Sequence, residues 1–187
     1  WGYESVNAMV KHWPGGGPEE GGRDAHYSFG KYAVYPGGNF EEHLRPFIKG
    51  AFRLRGRTGK AAAVMPYYTI SWDVNPSGEN IGNGFSRYLI TDLLREKYGY
   101  DGVVCSDWGI THDYARVEES DGKCWGTENL GIAERHYLAI RAGVDQFGGN
   151  DDMRPILAAW HMWAEEFGED SARKRFEQSA IRLLLNM

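Results

Sequence analysis

Residues 100–108, Tyr100-Asp101-Gly102-Val103-Val104-Cys105-Ser106-Asp107-Trp108, decide the fold class of this chain. A short apolar run bounded by Gly102 reads as a strand buried on both faces, and it ends in a carboxylate and an indole. Strands of that kind belong to parallel α/β sheets. Alternation sends Val103, Cys105 and Asp107 to one face and Val104 and Ser106 to the other. Asp107 then stands at the carboxyl end of its strand, where α/β folds do chemistry. An Asp after a strand ordinarily opens a loop or caps a helix, so Ser106-Asp107-Trp108 alone assigns nothing.

Working outward, residues 6–11 and 60–68 read as two earlier strands, the first delivering Lys11 and His12 at its carboxyl end, and residues 144–147 as a short fourth. Apolar residues recur at helical spacing between them. Asn39, with Glu42 three residues on, precedes Phe40, Leu44, Phe47, Ile48 and Ala51. Leu89, Ile90, Leu93 and Leu94 run up to Gly99, and Thr127 precedes Leu130, Ala133, Tyr137 and Ile140, closed by Gly143. Two further helices, about 153–167 and 172–185, flank Gly168. Four β-α units and an extra helix predict a parallel sheet with right-handed crossovers. Three long glycine-rich loops all follow strands, whereas the returns from helix to strand are short. A (β/α) barrel working at its carboxyl-terminal rim has this bias. Lys11, His12, Tyr68, Asp107 and Trp108 would share that rim. Four units cannot close an eight-stranded barrel, which leaves a barrel fragment or an open doubly wound sheet.

Composition narrows the partners. A chain of 187 residues builds one domain with a sizeable core. The net charge of −5, with both signs interspersed, gives neither a basic stripe for nucleic acid nor a polybasic membrane patch. No apolar run is long enough to span a bilayer, and no signal segment opens the chain, which is already strand-like by Val6 and reads as lacking its natural start. Cys105 and Cys124 form neither a disulfide framework nor a zinc knuckle. Seven tryptophans and eleven tyrosines supply flat faces with polar handles, which suit both core packing and stacking on sugars.

Five ordered blocks resemble family 3 glycoside hydrolases across nearly the whole chain: Lys11-His12-Trp13-Pro14-Gly15, Gly22-Arg23-Asp24, Val64-Met65-Pro66-Tyr67-Tyr68, Gly102 to Trp108, and Ala142-Gly143-Val144-Asp145. The resemblance implies that residues 1–187 are the C-terminal half of the family's (β/α)₈ catalytic domain, strands five to eight plus an extra C-terminal helix. The first half and a following sandwich domain would lie outside this chain. It implies a retaining, exo-acting β-glycosidase, best matched to β-glucosidases releasing terminal non-reducing β-D-glucosyl residues, with no cofactor and no metal. Asp107 matches the family's nucleophile and Trp108 the indole walling the sugar pocket. Lys11 and His12 match the pair that binds sugar hydroxyls, and Tyr68 and Met65 match residues lining the same pocket. Arg23, Asp24 and His26 are assigned to substrate binding or loop ordering.

Asp24-Ala25-His26 also resembles an element of the family's N-acetylglucosaminidase branch, in which the His acts as acid/base. Here its gap from Lys11 is two residues longer and its Gly-Gly-Arg-Asp context looks more like the glucosidase branch. Cys105 stands where the family often has methionine and reads as packing. The acid/base is unassigned: Glu19, Glu20, Asp73 and Asp113 are loop carboxylates, and the glucosidase branch usually draws it from sequence beyond this chain. The expected partners are a β-linked glycoside or oligosaccharide and the remaining barrel and second domain. Location is undetermined, with the family favouring the periplasm or secretion. Alternatives are a β-N-acetylglucosaminidase or β-xylosidase, a metal-dependent hydrolase using His12, Asp24, His26, Asp107, His112 and Asp113, or a fragment that only binds sugar. Without the resemblance His12 reads as a core histidine, Lys11 as a surface lysine and Arg23-Asp24 as an ion pair.

Overall fold

A computed structural model describes residues 2, 4–114 and 122–186, so part of the third expected loop lies outside the described residues. In chain order the elements are β1 (Met9–Trp13), β2 (Tyr32–Ala33), α1 (Phe40–Arg45), β3 (Ala63–Pro66), β4 (Ile70–Ser71), β5 (Val103–Val104), α2 (Ile132–Ala142), α3 (Arg154–Phe167) and α4 (Glu169–Leu184). Wider helices with i→i+5 hydrogen bonds cover Pro46–Ala51, directly after α1, and Tyr88–Lys97. The class is α/β with parallel sheets.

The main sheet has the order β1-β3-β5, every pair parallel. Strands that follow chain order with helices between them are the product of β-α crossovers. The expected fourth strand is reduced to one parallel bridge from Gln146 to Cys105. Lys11 lies opposite Met65 and Trp13 opposite Pro66, so His12 is passed over in the ladder. The first strand therefore runs Met9–Trp13 instead of 6–11. Val6 is exposed, whereas the Trp13 indole is fully buried and donates Nε1–H to Leu89 O at 3.0 Å. That burial draws the strand three residues further than its apolar start suggests.

The two sheet faces differ. Val64 and Val104 pack under the helices with Trp13, Leu44, Ile90, Leu94 and Val144. Each such side chain contributes about 1.5–3 kcal/mol. On the other face Ala63, Val103 and Cys105 form a small cluster against which, among the described residues, Leu183 of α4 packs, and Met9, opposite Ala63, is 41% exposed. The alternation read from the sequence holds for Val103, Val104 and Cys105. Burial, aided by the Asp107 charge, pushes the Cys105 thiol up to about 11, which fits packing and not reactivity.

Pro46 has no N–H for the ladder, and the helix that begins at Phe40 widens there. Asn39 occupies the N-cap position without a side-chain bond. Thr127 does not cap α2: its hydroxyl donates to Cys124 O at 2.9 Å, and α2 starts after Gly131, whose N–H donates to Glu134 Oε2 at 2.6 Å. Gly143 ends α2 at φ 118°, and a Cβ there would stand 2.9 Å from Ile90 Cγ2. The last helix starts at Glu169, ahead of the expected 172.

The fully buried Asp145 side chain ties the fourth strand position down. Its Oδ2 accepts from Arg95 Nη2 at 2.6 Å and Val104 N at 3.0 Å. Oδ1 accepts from Ser179 Oγ at 2.7 Å and Arg182 Nη1 at 2.8 Å, with Arg175 at 3.8 Å. A second small sheet was not anticipated: β2 and β4 pair in parallel inside the first two long loops, extended by bridges from Glu19 to Ala33 and Ile70 to Gly82.

Candidate active site

The carboxyl ends of β1, β3 and β5 bring His12, Tyr67, Tyr68, Asp107 and Trp108 together. Asp107 follows β5 after Cys105 and Ser106 and is 5% exposed. Its Oδ1 accepts the Trp108 backbone N–H at 2.8 Å, which fixes the carboxylate. Oδ2 is buried, faces His12 Nε2 at 3.3 Å out of hydrogen-bond alignment, and has no hydrogen-bond partner among the described residues. Buried carboxylate oxygens are normally satisfied, so an Oδ2 without a hydrogen-bond partner among the described residues singles Asp107 out.

Burial pulls the His12 pKa down despite the Asp107 charge, with Lys11 and His26 adding to the lowering, so neutral imidazole is the favoured form at neutral pH. The His12 ring lies against Tyr67 with centroids 4.2 Å apart, and the Tyr67 hydroxyl donates to Glu19 Oε1 at 2.8 Å. Tyr68 is buried, and burial together with the Asp107 charge pushes its hydroxyl pKa up. It remains a neutral donor. Lys11 is exposed on the same sheet face as buried Met65, its register partner.

Trp108 is 51% exposed, with Gly148 and Gly149 packed against its indole. A Cβ on Gly148 would lie 2.5 Å from Trp108 Cε3, and one on Gly149 would overlap the indole at Cδ1. Gly148 N–H also donates to Ser106 Oγ at 3.0 Å, tying this doublet to the strand that carries Asp107. One ring face is thus held while the other meets solvent, the arrangement a sugar ring can stack on.

The first loop folds back toward this mouth through Asp24-Ala25-His26. Asp24 Oδ1 accepts from His26 N at 2.9 Å and approaches His26 Nδ1 at 2.7 Å, and these two contacts hold the Asp24 carboxyl below its usual range. Ala25 is fully buried and its carbonyl takes the buried Trp125 indole N–H at 2.8 Å. The turn closes only because residue 30 is glycine: a Cβ there would collide with Asp24 O. The His26 ring meets Tyr68 edge-on at 4.9 Å. Arg23 does not pair with Asp24; it turns to Glu20 at 3.5 Å on the surface.

Glu19, one of the loop carboxylates read from the sequence, is engaged by the Tyr67 hydroxyl, whereas Tyr67 and the Gly148-Gly149 doublet were not singled out from the sequence. The doublet directly after a strand was the available signal; Tyr67 looks the same as its neighbour Tyr68 until the ring positions are known. Of the other loop carboxylates, Asp113 pairs with buried Arg135 at 2.7 Å. No three His, Cys, Asp or Glu side chains converge as metal ligands among the described residues. No helix among them is long and apolar enough to cross a membrane.

Known proteins resemble the chain as a whole. Residues 3–152 match the model described as the N-terminal domain of glycosyl hydrolase family 3. The chain is 40% identical over 184 residues to a probable β-glucosidase C from Aspergillus flavus, covering 98% of this chain and 27% of that protein. It is 43% identical over 170 residues to a periplasmic β-glucosidase/β-xylosidase from Dickeya chrysanthemi, covering 83% and 25%. Among solved structures, a family 3 β-N-acetylglucosaminidase from Paenibacillus superposes with a TM-score of 0.67 at 27% identity, over 97% of this chain and 30% of that one. The chain spans about a quarter of the length of these curated relatives.

Proposed function

The chain belongs to glycosyl hydrolase family 3, and on that footing we propose that it forms part of a retaining, exo-acting β-glycosidase, a β-glucosidase in the first reading, with Asp107 as nucleophile. In this reading β1, β3, β5 and the Gln146 bridge are the last four strands of a (β/α)₈ barrel, residues 1–187 being its C-terminal half. The single observation that carries the assignment is the Asp107 Oδ2: buried, without a hydrogen-bond partner among the described residues, and beside His12 at the mouth of the sheet.

In the first step an Asp107 oxygen bonds to the anomeric carbon as the bond to the leaving oxygen breaks, and a general acid protonates the departing alcohol. In the second, water attacks that carbon, its proton passes to the same acid/base, and Asp107 leaves as carboxylate. Neutral His12 donates to a sugar hydroxyl, Lys11 contributes a cation near Asp107, and Tyr68 donates close to the developing charge. Trp108 stacks on the sugar, Met65 closes the pocket floor, and Arg23, Asp24 and His26 shape the rim. The acid/base, about 5 Å from Asp107 in a retaining site, comes from outside this chain.

A 2-deoxy-2-fluoro-β-glucoside should trap a glycosyl ester on the peptide holding Asp107 in the full-length protein. Label on a different carboxylate would refute the assignment. The isolated chain should not turn over aryl β-glucosides at rates usual for enzymes.

The Asp24–His26 contact at 2.7 Å favours one second reading, a β-N-acetylglucosaminidase with His26 as acid/base. Comparing aryl β-glucoside with aryl N-acetyl-β-glucosaminide separates the two. Preference for the second substrate, lost in His26→Gln, would replace the first reading.

A further inference from the structure

We propose that the groove walled by Trp72, Tyr35 and Phe40 is a docking site for the distal part of a β-linked gluco-oligosaccharide whose end sits at Asp107. This rests on the glycosidase reading above. The groove encloses about 640 Å³ and is lined by Glu20, Val34, Tyr35, Pro36, Phe40, Trp72 and Asp73 among others. Its size falls in the usual range for ligand sites.

Three observations point to sugar. Trp72 is 48% exposed yet held in place: its backbone N–H donates to Ala33 O at 2.8 Å, and Tyr32 braces its ring edge-on at 5.1 Å. A large apolar ring kept rigid at the surface is a stacking platform that loses little entropy on binding. Next to it Asp73 is the one non-glycine in the left-handed region among the described residues, at φ 58°, pinned by its N–H to Asn80 Oδ1 at 2.9 Å. Non-glycine backbone in that region clusters where ligands bind. With Glu20, Asp73 places carboxylate acceptors beside flat faces, the pairing that sugar hydroxyls and C–H faces require.

Continuity with the mouth selects an oligosaccharide over a separate small ligand. Glu20, on the groove wall, adjoins Glu19, which accepts the Tyr67 hydroxyl, and the Tyr67 ring lies tilted against His12 beside Asp107. In this proposal a chain leaving the Trp108 face follows this path, and its distal sugars lie in the Trp72 groove. Binding there adds affinity for long substrates and nothing for short ones.

The test uses the full-length protein and cellobiose, cellotetraose and laminaritetraose. Trp72→Ala should lower the ratio of kcat/KM for a tetrasaccharide over cellobiose by about five- to tenfold, with Trp72→Phe in between. In an Asp107→Asn background, tetrasaccharide should quench tryptophan emission, and Trp72→Ala should remove most of that quench. An unchanged ratio together with an unchanged quench overturns the proposal. Should the wild type cleave no β-glucoside at all, the glycosidase reading fails by itself, and tetrasaccharide binding that ignores Trp72 would then sink the groove as well.

Discussion

At the scale of residues, the candidate site depends as much on two missing side chains as on those that line it. Gly149 sits at φ 68°, where a Cβ both strains the backbone and strikes the Trp108 indole. Gly149→Ala should therefore swing Trp108 off its support. The expected outcome is a loss in kcat/KM for aryl β-glucosides on the order of 10- to 100-fold, the scale set by ångström misplacement of a positioning group. Steady-state kinetics with the tryptophan emission spectrum check it; normal kcat/KM with a displaced indole would show that the ring plays no part. The same doublet was legible as glycines after a strand, whereas its job was not, because a glycine carries no sign of which ring lies over it.

At the scale of elements, α2 and the fourth strand position are held by buried polar groups. His136 is fully buried. Its Nδ1 contacts Ile132 O at 2.8 Å and its Nε2 contacts Asn150 Nδ2 at 2.6 Å, a pattern that a neutral ring donating from Nδ1 satisfies at both ends. Burial lowers its pKa below the ordinary 6.5. The unfolded chain then binds more protons than the folded one in the window between the lowered value and 6.5, so stability rises with pH there and is lost as pH falls through it. Melting temperature measured from pH 7 down to pH 5 should drop, and His136→Gln should flatten that slope. Asp145→Ala removes the carboxylate on which Arg95, Arg175 and Arg182 converge and should cost about 3–5 kcal/mol in urea unfolding. A loss under 1 kcal/mol would mean that water reaches the cluster. Helices with several apolar residues on one stripe, such as α2 and Tyr88–Lys97, could be read from period alone. Two-residue strands such as β2 and β4 have no period to read, and their pairing depends on where two distant loops meet. The start of α2 escaped for a related reason: Thr127 has the right chemistry for a cap but spends its hydroxyl on Cys124 O. Asp145 could be placed at the end of a motif, yet its three arginines come from positions 95, 175 and 182, and no local pattern joins them.

At the scale of the molecule, the sheet has one well-covered face and one thinly covered. Met9, Ile181, Leu184 and Leu185 are exposed, and β1 is an edge of the main sheet. The 187-residue chain expressed by itself should therefore self-associate at micromolar concentration, read by sedimentation velocity. A clean monomer across that range would argue against a second half-barrel belonging on this face. Parallel order, the helix-side core and the loop asymmetry followed from the strand of Val103 and Val104, but the cross-linking of those loops did not. Ile70 N–H reaches Lys31 O and Trp72 N–H reaches Ala33 O, each at 2.8 Å, so the first loop supplies β2 and the second β4. Neither segment has its hydrogen-bonding complement without the other. Chimeras that trade only residues 13–38 with a homologue would leave these amides and carbonyls mismatched; specificity has to be transplanted as a two-loop cassette.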